Sequence, residues 1–150
     1  MFKELYVISK AGIPLHFYQK GASQNPTEGR TTLFSGIISA IMKFLVEVDV
    51  GDVKNFITES NQISISSAPN FAIILINDIN AKINEQDVTD LFTRLSSEIG
   101  LALIDYDDGM HISDEETINK LNDIFQRIIP AWENEAKKSQ AAKRLKKSLW

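Results

Sequence analysis

The sequence predicts an α+β domain in which helices cover both faces of a five-stranded antiparallel sheet. Short strand patterns occur in two runs separated by a helical pattern, and two further helical patterns follow the second run. The segment 71–77 (FAIILIN) is apolar on both faces, so it should be a central strand that is covered above and below. The expected order is ββαβββαα, an α-β-α sandwich with the first helix on one face and the last two on the other.

The first two strands should form a hairpin. Residues 3–10 contain the apolar run LYVI, which suits a central strand, and the Ala11–Gly12 turn leads to a return strand at 13–18. Pro14 lacks a backbone N–H, so the return strand should lie at an edge of the sheet. The polar, Gly- and Pro-containing stretch 19–30 is typical of a loop.

The first helix is predicted over residues 31–48, because apolar residues recur there at helical spacing. Small residues lie between them. A helix with a small flank can approach a sheet closely, so we expect Gly36 and Ser39 to accept only small side chains.

The second run of strands is predicted at 53–58, 62–67 and 71–77. Residues 59–61 form a hairpin connection between the first two, and Ile63 and Ile65 alternate with serines as in a half-buried strand.

Two helices should follow at 84–99 and 113–129. Asn84 is positioned to cap the first and Gly100 to end it, whereas Ser113 and Glu116 form a capping box for the second. Pro130 should end or bend the second helix. We therefore expect a domain over residues 1–130 and a basic tail, compatible with a helix, over 131–150.

Charge is divided unevenly along the chain. Residues 1–135 contain 20 acidic and 10 basic side chains, whereas residues 136–150 contain six basic and no acidic ones. An acidic body repels phosphates, so no nucleic-acid partner is expected. The tail could lie on an anionic membrane, dock on an acidic protein surface, or remain solvated. Its cations are Lys137, Lys138, Lys143, Arg144, Lys146 and Lys147.

No catalytic or metal-binding arrangement is evident in the sequence. Cysteine is absent, no Ser, Cys or Asp is placed by the sequence to pair with His16, and His111 lies in an acidic loop, so both are expected to be exposed polar residues. The acidic stretch 105–116 departs from a calcium loop in the position of its glycine, and no phosphate-binding glycine motif occurs. We therefore expect no enzyme activity, metal or cofactor. No apolar run is long enough to span a bilayer and no signal pattern is present, so the expected location is the cytoplasm, with peripheral membrane contact as one alternative.

Three stretches resemble the longin domain, a profilin-like fold. They are KELYVISKAGIPLHFY, LFSGIISAIMKFLVEV, and NFITESNQISISSAPNFAIILIND followed by VTDLFTRLSSEIG. The resemblance covers residues 3–129 and rests on the order of elements and the placement of turns. Roadblock domains have a related core but begin with a helix, whereas this chain begins with a strand, which favours the longin domain.

The resemblance implies a non-enzymatic interaction module in membrane-traffic-like or GTPase-regulatory assemblies. The implied partner is a small GTPase or another longin or roadblock domain, and a homodimer is also compatible with it. The chain shows neither heptad repeats long enough for a SNARE motif nor a transmembrane anchor, so it resembles a stand-alone longin. Its excess of isoleucine over leucine suggests an AT-rich genome, and stand-alone longins of this kind are similar to archaeal ones. In a longin-like sheet the strand 53–58 forms an edge, so the expected docking residues are Val53, Phe56 and Ile57, with Lys43 on the first helix. Two alternatives are a small-molecule enzyme on an α/β scaffold and a roadblock-like scaffold for a GTPase regulator.

Overall fold

A computed structural model describes residues 4–19, 34, 36–43, 55–81, 83–106 and 112–149, with the backbone alone for Phe56 and residues 147–149. The first helix, α1, is described over residues 36–43. The remaining elements are β1 (Glu4–Ser9), β2 (Pro14–Gln19), β3 (Asn55–Ile57), β4 (Asn61–Ser67), β5 (Phe71–Asp78), α2 (Glu85–Ala102) and α3 (Glu115–Leu149). The prediction of an α+β fold with an antiparallel sheet and three helices is confirmed.

The described strands form one antiparallel sheet in the order β2-β1-β5-β4-β3. The central position expected for the apolar segment 71–77 is confirmed, since β5 lies between β1 and β4 and its residues 71–77 are buried. The strand that contains Pro14 is an edge strand, as its missing N–H predicts. Gly12 has a positive φ of 89° in the turn between β1 and β2, a conformation that favours glycine.

Helix α1 packs on one face of the sheet. Ile38 is buried there against side chains of β1, β4 and β5, and the rings of Phe34 and Tyr6 lie 4.7 Å apart. Ser39 is also buried, and its hydroxyl donates a hydrogen bond to the carbonyl of Lys10. The expectation for Gly36 is wrong, because Gly36 is exposed and a Cβ added there would meet nothing within 4 Å.

Helices α2 and α3 pack together on the opposite face. Their buried side chains form a single cluster with Leu5 and Val7 of β1, Leu15 of β2, and the inward residues of β5. The predicted division of one helix and two helices between the two faces is therefore confirmed for the described residues.

Of the two signals predicted for the ends of α2, the cap at its start is observed and the glycine stop at its end is not. The Asn84 side chain accepts a hydrogen bond from the backbone N–H of Gln86, so the predicted cap is confirmed. Gly100 does not end the helix as predicted, because α2 continues to Ala102 and the N–H of Leu103 donates to the carbonyl of Ile99.

Helix α3 departs from the prediction at both ends. Its cap is Asp114 rather than Ser113, since the Asp114 carboxylate accepts hydrogen bonds from the N–H and the hydroxyl of Thr117. The helix then continues through Pro130 to Leu149.

Pro130 is tolerated because it lies on the outer side of α3. Proline leaves the carbonyl of residue i−4, here Gln126, without its helical partner, and both residues are exposed, where water can hydrogen-bond to that carbonyl. Beyond it, Trp132 and Ala136 are buried in the core. The packed structure thus extends past residue 130, into the segment that the sequence assigned to a tail.

Candidate functional site

The outward side of α1 exposes a row of apolar and small residues. Ile37 is 50% exposed and Ile41, one turn later, is 36% exposed. Gly36 and Ala40 lie beside them and are exposed, as is Lys43. We call these five residues the α1 surface. It exists because the opposite side of the helix already supplies Ile38, Ser39 and Met42 to the sheet.

The outward sides of α2 and α3 are different, because ion pairs connect them. Arg94 of α2 contacts Asp90 on its own helix at 3.0 Å and Glu135 of α3 at 2.5 Å, and Arg127 of α3 pairs with Glu98 of α2 at 2.5 Å. The hydrogen bond from Arg94 lowers the pKa of the Glu135 carboxyl. Where these ion pairs lie, the surface offers little to an apolar partner, and its exposed apolar residues Leu101 and Ile104 lie apart from them at the end of α2. The α1 surface places its apolar residues on one continuous helix face, which makes it the candidate for docking.

Of the predicted docking residues, Lys43 and Ile57 lie on opposite sides of the sheet. Lys43 lies on α1, whereas Ile57, which is 64% exposed, pairs with Gln62 at positions that belong to the face of α2 and α3. Phe56 pairs with Ile63, which belongs to the α1 face, and Val53 lies outside the described residues. β3 is hydrogen-bonded to β4 along one edge, and no described strand borders its other edge.

A groove of about 830 Å³ lies between the β3–β4 end of the sheet and α2. Hydroxyl and amide side chains dominate its lining, including Asn55, Gln62, Ser64, Asn77 and Ser96. Among the described lining residues the charged group is Glu85 alone, and histidine does not occur. The groove can therefore supply hydrogen bonds from hydroxyls and amides, and one carboxylate.

The hydroxyl groups that line this groove were not predicted from the sequence. On α2 the hydroxyls of Thr89, Thr93 and Ser97 donate to the carbonyls four residues earlier. Their four-residue spacing, together with the alternating serines of β4, is the signal that could have revealed a hydroxyl-rich cleft.

His16 has a structural role that contradicts the expectation of an exposed residue. Its ring stacks on Phe125 of α3, with centroids 4.6 Å apart and planes 9° apart. Burial lowers the pKa of His16 to about 4, so the ring is neutral at pH 7. His111 and residues 107–110 of the acidic stretch lie outside the described residues. No group of three His, Cys, Asp or Glu residues within the described ranges could hold a metal ion.

The cations predicted for the tail lie along the distal half of α3. Lys137, Lys138, Lys143, Arg144 and Lys146 are all exposed, and Lys147 belongs to the part described by its backbone alone. None of the described helices has the length and apolar character needed to cross a bilayer.

Comparison with protein-family models gives no match, and comparison with curated proteins gives none either. Known structures do match. A chain in a homology model of the full-length AP-3 complex aligns with a TM-score of 0.50 and 11% identity, over 95% of this chain and 99% of that chain. Myxococcus xanthus MglB aligns with a TM-score of 0.42 and 12% identity, over 55% of this chain and 68% of that chain. The gliding protein MglB from Thermus thermophilus gives 0.41 and 16%, over 54% and 64%. The AP-3 likeness extends over nearly the whole chain and shows a shared fold.

Proposed function

We propose that this chain is a non-enzymatic protein-interaction module of the longin type, acting in a membrane-traffic-like or GTPase-regulatory assembly. The observation that carries the proposal is the α1 surface, where Ile37 and Ile41 are exposed on the outside of a helix whose other side is fully used in packing. The fold likeness to a chain of the AP-3 complex, a multi-protein assembly by its name, supports the same class of role.

The partner that best fits the α1 surface is another longin or roadblock domain, including a second copy of this chain. Two isoleucines one turn apart give an apolar contact, and the small residues Gly36 and Ala40 allow a partner helix to approach closely. A small GTPase is the other partner that the longin resemblance implies. The edge of β3 could add a strand in either case, since it pairs with β4 on one side.

The alternative of a small-molecule enzyme has less support. The groove beside α2 is large enough for a small ligand, but hydroxyls and amides dominate its described lining and Glu85 is the one charged group there.

The test is a measurement of mass in solution, for the protein alone and mixed with purified longin domains and small GTPases. We expect a dimer or a stable heterocomplex for the parent protein and a monomer for the double variant I37D/I41D. The matched control is L101D/I104D, because Leu101 and Ile104 are each 71% exposed but lie on the other side of the sheet, at the end of α2.

Two results would contradict the proposal. One is a parent protein that remains monomeric and binds none of the purified partners. The other is an association that L101D/I104D weakens as much as I37D/I41D, because binding would then not depend on the α1 surface. Circular dichroism of each variant shows whether the fold is intact.

A further inference from the structure

The last part of α3, from residue 137 onwards, extends beyond the packed body. Among the described side chains of the helix Ala136 is the last buried one, and residues 137–139 and 141–146 are exposed. The helix continues from there to Leu149, about 20 Å at 1.5 Å per residue. We call residues 137–149 the basic segment.

The basic segment itself contains no acidic residue, and the acids nearest to it lie beside its first turn, where Lys138 helps to lower the pKa of Glu135. Glu135 is the last acid in the sequence, so Lys143, Arg144 and Lys146 have no carboxylate one turn away on either side. The acidic body does not cancel this charge at the far end, because about 20 Å exceeds the Debye length of about 8 Å at physiological salt. The segment is thus a separate cationic surface.

An apolar strip runs along the same segment. Successive residues of an α-helix point about 100° apart around its axis. In this projection Ala141, Ala142 and Leu145 fall on one side of the helix. That side is about 150° from the direction of Trp132 and Ala136, which face the core. All three are exposed, Leu145 by 64%.

Cations border this strip on both sides. In the same projection Lys137 and Arg144 lie at one border and Lys146 at the other, whereas Lys138 falls on the strip itself, one turn before Ala142. An apolar strip with cations along its borders is the arrangement of helices that lie in the plane of a membrane interface.

We propose that the basic segment binds an anionic lipid surface, with Lys137, Arg144 and Lys146 at the headgroup phosphates and Leu145 between them in the interface. Nucleic acids or acidic proteins would use the cations, but they would gain little from a leucine at the centre of the contact. The lipid surface is the partner that uses both features.

The experiment is co-sedimentation of the full chain with vesicles of 70% phosphatidylcholine and 30% phosphatidylserine, against vesicles of phosphatidylcholine alone. We expect binding to the first, little binding to the second, and a loss of binding as salt is raised. R144Q and K146Q should each lower the partition constant about fivefold, the value of one basic residue near an anionic surface. K120Q is the matched control, since Lys120 lies on the packed part of α3 and should leave binding unchanged.

L145Q separates lipid from other polyanions, because it removes the apolar contact and keeps every charge. We expect L145Q to weaken vesicle binding severalfold while leaving the binding of a short DNA duplex or polyglutamate unchanged. The proposal is overturned if the parent does not bind the anionic vesicles at low salt. It is also overturned if L145Q binds them as the parent does, because the segment would then be a general polyanion site. I37D/I41D should bind vesicles normally, so failure here is distinct from failure of the α1 surface.

Discussion

His16 should make the fold less stable as the pH falls from 7 towards 4. In the folded protein its ring stacks on Phe125 and its pKa is lowered from 6.5 to about 4 by burial. The unfolded chain therefore binds a proton between these two values and the folded protein does not, so stability decreases as the pH falls through this window. At about 1.4 kcal/mol for each pH unit between the two pKa values, the full effect is about 3 kcal/mol.

The assay is urea unfolding followed by circular dichroism at pH 7.0 and pH 4.5, for the parent and for His16→Phe. Phenylalanine keeps a flat ring against Phe125 but cannot be protonated. Carboxylates that titrate in this pH range change the free energy of unfolding of both proteins. The difference between the two losses of stability therefore reports on His16 alone. We expect the parent to lose about 2–3 kcal/mol more than the variant. Equal losses in the two proteins would refute the argument, because His16 would then titrate alike in the folded and unfolded states.

Two further predictions concern packing and are measured by urea unfolding at neutral pH. Trp132→Ala should cost about 3–5 kcal/mol because the indole is buried, and Trp132→Phe should cost about 1 kcal/mol from the lost hydrogen bond to the carbonyl of Asp87. If both variants were as stable as the parent, the part of α3 around Trp132 would not be packed as described. Gly36→Ala should raise stability by about 0.5–1 kcal/mol, since a Cβ there meets nothing, whereas Ser39→Leu should lower it by about 1–3 kcal/mol by overpacking a buried position. Changes of the same sign would show that the inner and outer sides of α1 are misassigned.

The elements that the sequence predicts best are those whose pattern is local. The two-sided apolar run of β5, the Ala11–Gly12 turn and the Asn84 cap each contain the information for their own structure. The failure at Pro130 is also instructive, because Ile128, Trp132 and Ala136 continue the helical spacing beyond it. This spacing indicates a continuous helix more strongly than a single exposed proline indicates its end.

The features that the sequence could not predict depend on distant partners. His16 stands on an edge strand, and its burial comes from Phe125, which is far away in the chain. The exposure of Ile37 could not be separated from the burial of Ile38 by spacing alone, because an apolar residue on either side of α1 fits the same helical pattern. A candidate docking surface of this kind can be identified only once the structure shows which side of the helix packs against the sheet.

The position of β1 inside the sheet has a consequence for how the chain folds. β1 pairs with β2 through a short turn, but its other edge pairs with β5, and the nearest pair along that ladder joins Ser9 to Phe71. The two hairpin-connected parts of the sheet therefore join through a contact between distant parts of the chain, and closing that long loop should limit the folding rate. During synthesis the apolar edge of β1 has no strand to pair with until β5 has been made. A chain interrupted before residue 71 would present that edge for aggregation.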